Sequence, residues 1–328
     1  MKILLIDADS LIPNLALMKI SQYHKLQNDN IRLIKLNIPY FPYKKKEKIF
    51  INTNNFDKVY CSCIFDNSYK YVVGKDIIFG GVGYPKDENL PIEIEKLKPD
   101  YSLYSDNEFS YGFISRGCIR KCKFCKVPKK EGYIHQVNNV NDIVEHKKVK
   151  FLDNNFLALP NHKNILNELI EKNIKCQFNQ GLDIRLIDEE NSVLLSKLNY
   201  LGEYLFAFDD IKLLDLIKEK LNILSWRKKW QLKFYTYINA NMKFEDFIKR
   251  SEFLKENACL SYAMRDINCY TSTNKNFYTD ISNWCNAVNM FKKKTFREFC
   301  NFLYKDNRVQ KYREITNIRN YYNNGGLL

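Results

Sequence analysis

Apolar and polar positions along the chain follow two periods. Residues 2–7 form a short apolar run, which reads as a buried strand. Residues 14–27 carry Leu15, Leu17, Met18 and Ile20 with polar residues between them, the spacing of a helix. Further strands are predicted at 31–37, 57–65 and 76–79, and the last runs into Gly80, Gly81 and Gly83. This alternation predicts a small, mainly parallel α/β domain. Pro85, Pro91 and Pro99, a short helix at 92–97 and a polar stretch to Ser110 then break the pattern. They set a first domain at 1–98 and a linker at 99–110. From 111 the alternation restarts. Strands are predicted at 111–115, 148–153, 175–179, 204–208, 232–238 and 259–264, with helices at 140–146, 164–172, 188–198, 211–221 and 244–256. Six strands over 111–265 fall short of the eight in a closed (β/α)8 barrel. Residues 266–328 read as a helical, basic extension. Trp284, Phe291, Phe296, Phe299 and Phe302 have helical spacing there, among Lys292, Lys293, Lys294, Arg297, Arg308, Lys311 and Arg313. The stripe either packs on the preceding domain or offers aromatics that stack on single-stranded bases.

One stretch changes this picture from architecture to chemistry. Residues 115–132 place Cys118, Cys122 and Cys125 in a Cys-x3-Cys-x2-Cys pattern, with glycine before and proline after. Thiolates are soft ligands that select iron–sulfur clusters, zinc or copper(I). A structural zinc site usually has four protein ligands, and a fully ligated 4Fe–4S cluster takes four cysteines. Three leave one iron open. The residues alone also admit a three-cysteine zinc knuckle with a distant fourth ligand, or three unrelated buried thiols.

The stretch, with aromatic Phe124 just before the third cysteine, resembles the cluster loop of the radical S-adenosylmethionine (radical SAM) superfamily. The resemblance implies a 4Fe–4S cluster held by Cys118, Cys122 and Cys125, its open iron chelated by the amino and carboxylate groups of SAM. In that family the reduced cluster cleaves SAM to methionine and a 5′-deoxyadenosyl radical, which takes a hydrogen atom from substrate. It also implies an α/β architecture: a partial (β/α)6 TIM-like barrel over 111–265, and a reducing partner such as flavodoxin or ferredoxin. The first domain resembles the small Rossmann-like, cobalamin-binding-like domain that precedes many such cores. The cobalamin motif Asp-x-His-x-x-Gly is missing, however. Asp7, Ala8 and Asp9 are followed by Ser10 and Leu11, and His24 falls inside a helix. The domain is therefore expected to be degenerate and without cobalamin, although some members bind it without a histidine ligand.

In barrels of parallel strands, ligands sit at the carboxyl ends of the strands. The second strand delivers Asp153, Asn154 and Asn155 there. The family often has a Gly-Gly-Glu-like motif here that binds the SAM amino group. This chain departs from it, but Asp153 or the asparagines could accept from an ammonium, or cap a helix. The third strand ends at Gln180, Asp183 and Arg185, candidates for the SAM ribose or carboxylate, for substrate, or for a structural ion pair. Arg185 suits a carboxylate because its planar fork is bidentate. Asp209 and Asp210 follow the fourth strand, as site groups or caps. Tyr237, Asn239 and Asn241 follow the fifth; a ribose contact at Asn239 is implied by resemblance, although the usual Gly-x-Ile-x-Gly-x-x-Glu pattern is not evident. Arg265, at the sixth, is a candidate for an anionic substrate. Residues 128–132 resemble the continuation seen in radical SAM methylthiotransferases, which puts Lys129, Lys130 and Glu131 where substrate could pass.

Composition narrows the classes further. Of 328 residues, 45% are hydrophobic and 27% charged, ordinary for a soluble globular protein. No apolar run reaches about 18 residues, so no membrane span is expected, and Asp7 interrupts any signal-peptide pattern. The ten cysteines then suit a reducing cytosol. Cys61 and Cys63 share one side of a strand. Cys176 stands alone, and an auxiliary cluster from Cys259, Cys269, Cys285 and Cys300 would need long-range assembly. A net charge of +14 suits nucleic acid or another polyanion, while the wealth of Lys, Asn and Ile also fits an A/T-rich coding sequence. The candidate reactions are methylation or methylthiolation of RNA, modification of a peptide, and rearrangement of a small molecule. The alternative from another class is a non-catalytic zinc-knuckle nucleic-acid-binding protein. A third reading is an inactive relative that keeps the cluster for structure.

Overall fold

A computed structural model of the chain describes residues 1–39, 46–86 and 89–303. The chain is mixed α/β and divides into two compact units. Among the described residues, the first comprises those of Met1–Gly112 with Asn141–His146; the second comprises Phe113–Val140 and Lys147–Leu303.

The first unit holds a four-stranded parallel sheet in the order Asn30–Lys35, Lys2–Asp7, Lys58–Ser62, Ile77–Gly80. The strand Lys2–Asp7 shows why its apolar run is unbroken. Leu4 and Ile6 pack with Val59 and Cys61 on one face. Ile3 and Leu5 pack with Leu17 and Ile20 of the helix Leu15–Lys25 on the other. A strand covered on both faces needs apolar residues at every position, and each such side chain is worth about 2 kcal/mol relative to exposure. Asn14 caps that helix by accepting from Leu17 N–H. A short parallel pair, Ile49–Phe50 with Val72–Val73, was not predicted from the pattern.

The carboxyl edge of this sheet is filled by its own polar groups. Asp7 accepts from Ser10 N–H at 3.0 Å and from the Tyr104 hydroxyl at 2.8 Å. Asp9 accepts from Ile64 N–H at 2.7 Å and Phe65 N–H at 3.0 Å. The Asn14 amide donates to Ser10 and Ser62. Gly81 has φ +95°, and a Cβ there would collide with the Cys63 carbonyl. The backbone that this glycine admits is the chain's own.

In the second unit, Lys148–Phe151 and Lys175–Phe178 pair in parallel, and Tyr204–Ala207, Leu232–Ile238 and Leu260–Arg265 form a second parallel sheet. Between them Cys176 bridges Tyr200, and Leu182 N–H donates to the Leu205 carbonyl at 2.7 Å. The strand expected at 111–115 is broken. Phe109–Gly112 ends in the first unit, and Ser115–Arg116 instead pairs antiparallel with His135–Gln136. The expected helix 140–146 shrinks to Val140–Ile143.

In Leu232–Ile238 the odd and even positions separate cleanly. Leu232, Phe234, Thr236 and Ile238 are buried, while Lys233, Tyr235 and Tyr237 are half-buried. Ile238 and its neighbours Leu260 and Ala263 join a core with Phe247 of the helix Phe244–Glu256 and with Phe277, Ile281 and Trp284 of Lys275–Asn286. Trp284, Phe291, Phe296 and Phe299 are buried in that core, so these four rings are closed to bases. The Phe302 side chain, Arg308, Lys311 and Arg313 lie outside the described residues. Cys269, Cys285 and Cys300 are apolar members of the same core, and Cys259 is buried. No described helix is long and apolar enough to cross a membrane.

Candidate functional site

The cysteine loop leaves and re-enters the second unit through a pinned neck. Arg116 pairs with Glu131 at 3.0 Å, and Gly117 N–H donates to the same carboxylate at 3.0 Å. The Asn154 amide donates to Glu131 at 2.7 Å, and Cys118 N–H donates to the Gly132 carbonyl at 3.2 Å. Gly117 has φ +81°, and a Cβ there would meet the Tyr133 carbonyl, so the neck requires glycine. Glu131, expected near substrate, closes the loop, and Asn154 serves it.

Asp153 fixes the approach to the loop. Its buried carboxylate accepts from Ile114 N–H at 3.2 Å, from Ser115 N–H at 2.5 Å and from the Ser115 hydroxyl at 2.6 Å. Burial pushes this carboxyl up to about 6, against the opposing pull of those hydrogen bonds. A group whose folded pKa is raised is better tolerated protonated, so its contribution to stability falls as pH rises from about 4 to 6 and is then constant. Asp153→Asn is expected to remove that slope. Urea unfolding at pH 4 and pH 7 should show the wild type losing about 2–3 kcal/mol relative to the variant across the window. A stability gap that does not change with pH would refute the assignment.

The three thiols occupy the loop between these fixtures. All are free and partly exposed. Among the described residues no three His, Cys, Asp or Glu side chains converge as a closed metal set, the loop thiols included. The thiols do lie within one another's electrostatic reach. Burial raises Cys122 and Cys125 first; Arg185 pulls Cys122 back down, and the neighbouring cysteines push both further up. Cys118 Sγ accepts from Arg120 N–H at 3.3 Å and from the Asn155 amide at 3.4 Å. Both donors orient this sulfur within the loop.

Asn155 is the second feature that points to a ligand. It is 3% exposed, and its amide lies 3.4 Å from both Cys118 Sγ and Asp183 Oδ2. Its Oδ1 is buried without a partner. An unsatisfied buried acceptor costs about 1–3 kcal/mol, which a hydrogen-bond donor such as an ammonium group would relieve. Asp183 lies next to it, binding Arg120 Nε at 2.8 Å and Arg185 Nε and Nη2 at 2.6 and 3.0 Å. Burial alone would raise the Asp183 carboxyl, but hydrogen bonds from Arg185 and Arg120 outweigh it and hold the group below the usual carboxylate range. The donor set and the unpartnered oxygen together fit a three-cysteine cluster with an amino-acid-like ligand on the open iron.

The remaining expected residues are spread differently. Phe124 is 46% exposed and stacks on Tyr237, with ring centroids 4.1 Å apart and 17° between planes. Tyr237 N–H donates to Asp209 and its hydroxyl to Asp266. Asp210 caps the turn Ile211–Leu213. Gln180 is exposed, and Asn239 accepts from Asn241 N–H in a local turn. Arg265 pairs in register with Ile238 and so turns to the helix-covered face, donating to Thr279 at 2.8 Å. Lys129 is exposed on the loop.

Two residues escaped the sequence reading. Arg120 had no local signal, since its partner Asp183 lies 63 positions away. Arg250 did have one: it falls on the i, i+3, i+4, i+7 stripe of Phe247, Ser251 and Leu254, the buried face of its helix. Its guanidinium, pushed down to about 10 by burial, donates to the Phe208 and Tyr237 carbonyls, tying two strand ends together.

Comparison with curated proteins finds the ribosomal protein uS12 methylthiotransferase RimO of Cytophaga hutchinsonii. It is 26% identical over 161 residues, which cover 44% of this chain and 36% of that protein. The chain thus matches little more than a third of that relative's length. No family model matches, and no solved structure matches. The match to the methylthiotransferase supports the radical SAM superfamily and nothing finer.

Proposed function

We propose that the chain is a radical SAM enzyme whose loop 115–132 holds a 4Fe–4S cluster through Cys118, Cys122 and Cys125, and whose second unit is a partial barrel around it. The observation that carries this reading is the unpartnered Asn155 oxygen beside Cys118, at the carboxyl end of a parallel strand. When bound, cluster and SAM would supply a 5′-deoxyadenosyl radical able to activate a C–H bond of substrate. The chain's own work is orientation and exclusion of water. Asn155 accepts from the amino group. Arg185 spends Nε and Nη2 on Asp183 and keeps Nη1 for a carboxylate. Phe124 and Tyr237 wall one side with a stacked pair. Lys129 faces substrate from the loop.

On this reading the first unit works without cobalamin, because the polar groups at its sheet edge are already partnered within the chain. The enzyme draws electrons from a flavodoxin- or ferredoxin-like partner and works in a reducing cytoplasm, consistent with ten free cysteines.

The test is anaerobic iron–sulfur reconstitution of the wild-type chain, followed by dithionite and SAM. A brown protein with about four irons that releases 5′-deoxyadenosine is expected. A colourless protein carrying stoichiometric zinc and leaving SAM intact would replace this reading with the zinc-knuckle one.

A further inference from the structure

The cysteine loop is basic out of proportion to its length. Between residues 115 and 132 seven side chains are Lys or Arg and only Glu131 is acidic. Arg116 and Arg120 are consumed by Glu131 and Asp183. Lys121, Lys123 and Lys129 are exposed. A solvated loop would explain lysines alone, but these border an aromatic surface that solvation does not explain.

That surface begins at Phe124 and Tyr237 and runs down the uncovered face of the second sheet. Tyr237 pairs in register with Met264, and Tyr235 with Tyr262. These partners share a face, because paired residues of a parallel ladder point the same way. Met264 is 39% exposed and Tyr262 40%. Tyr235 meets Tyr262 edge-on at 5.8 Å, and Lys233 Nζ lies 5.7 Å from that ring's centroid. The opposite face of the same strands is fully covered by helices. The uncovered side therefore presents Tyr262 and Met264 on the same face as Tyr237, which stacks on Phe124 of the lysine-rich loop.

We infer that this face binds a single-stranded polynucleotide, with phosphates at Lys121, Lys123 and Lys129 and a base against Tyr262. Lysines alone would take any polyanion. The rings choose among polyanions, because every base has a π-face to stack and an acidic peptide has none to offer at each step. The inference rests on the functional reading above, since the bound strand would be the substrate, but it concerns binding, which needs neither cluster nor SAM turnover.

The test is fluorescence anisotropy of a labelled, mixed-sequence oligonucleotide, as RNA and as DNA, on the full chain from about 50 to 200 mM salt. The joint variant Lys121→Gln, Lys123→Gln, Lys129→Gln should lower the slope of log K against log salt by about 2, at about 0.7 for each phosphate contact. Tyr262→Ala should loosen binding about 5- to 150-fold, and Tyr262→Phe should keep it. The RNA and DNA arms show which sugar the site prefers. If polyglutamate competes as well as the oligonucleotide, or if the lysine variant keeps the wild-type salt slope, the inference fails. A chain that cleaves SAM but ignores both oligonucleotides overturns this inference and leaves the enzyme reading intact.

Discussion

Replacing Cys118, Cys122 and Cys125 together by alanine is expected to reduce reconstituted iron from about four per chain to background, and to abolish 5′-deoxyadenosine release. The other seven cysteines cannot substitute. All are buried. Burial pushes Cys176 up to about 12 and Cys259, Cys269 and Cys285 up to about 11, so at neutral pH they are thiols and not the thiolates that bind metal. The fold should survive. The loop thiols are partly exposed; Cys118 accepts from Arg120 N–H and the Asn155 amide, and Cys125 accepts from Val127 N–H. Losing these should cost about 1–2 kcal/mol, a fall of about 1–3 °C in Tm for a chain of 328 residues. Colorimetric iron, chromatography of the nucleoside product and thermal circular dichroism test the three statements separately. Iron retained in the triple variant would sink the loop as the cluster's seat.

Period and spacing reach as far as local physics does. The parallel strands were readable because a strand covered on both faces cannot hide its apolar run, as Ile3 to Ile6 show. The cysteine loop was readable because its three thiols lie within eight residues. What could not be read are the choices made by distant partners. Nothing near Glu131 announces that Arg116, Gly117 and Asn154 will converge on it. Asp153 looked free to meet a ligand, yet two backbone donors 38 and 39 positions away claim it. Arg265 was legible as an arginine at a strand end but not in its direction. In the run from Leu260 to Arg265 apolar and polar residues do not separate by parity, so the face each side chain takes is set by pairing with Leu232–Ile238. The aromatic stripe near the C-terminus could serve either packing or stacking, and only its burial in the core decides between them.

Asp183→Ala should then lower stability by about 3 kcal/mol. Asp183 is the common partner of three groups from three segments: Arg120 in the cysteine loop, Arg185 beyond the third strand and Asn155 beyond the second. Removing one member of a buried ion pair usually costs about 3–5 kcal/mol, because the other charge is left uncompensated. Here the lower end applies, since the Arg120 and Arg185 side chains keep 32% and 29% exposure and can turn to water. The pH dependence has the opposite sign to that of Asp153. Arg185 and Arg120 hold the Asp183 carboxyl below its ordinary 3.8 despite burial. Its stabilising contribution is therefore complete above about pH 4 and is lost as pH falls through the lowered value. Urea unfolding of wild type and Asp183→Asn should differ most near neutral pH and converge in acid. The same change should also weaken iron loading, because Arg120 is the loop's tether to the strand end and its own N–H donates to Cys118. Reduced stability with unchanged iron affinity would mean that the Asp183 cluster braces the second unit and leaves the loop alone. A loss of both would make this carboxylate the joint through which the fold holds its thiols.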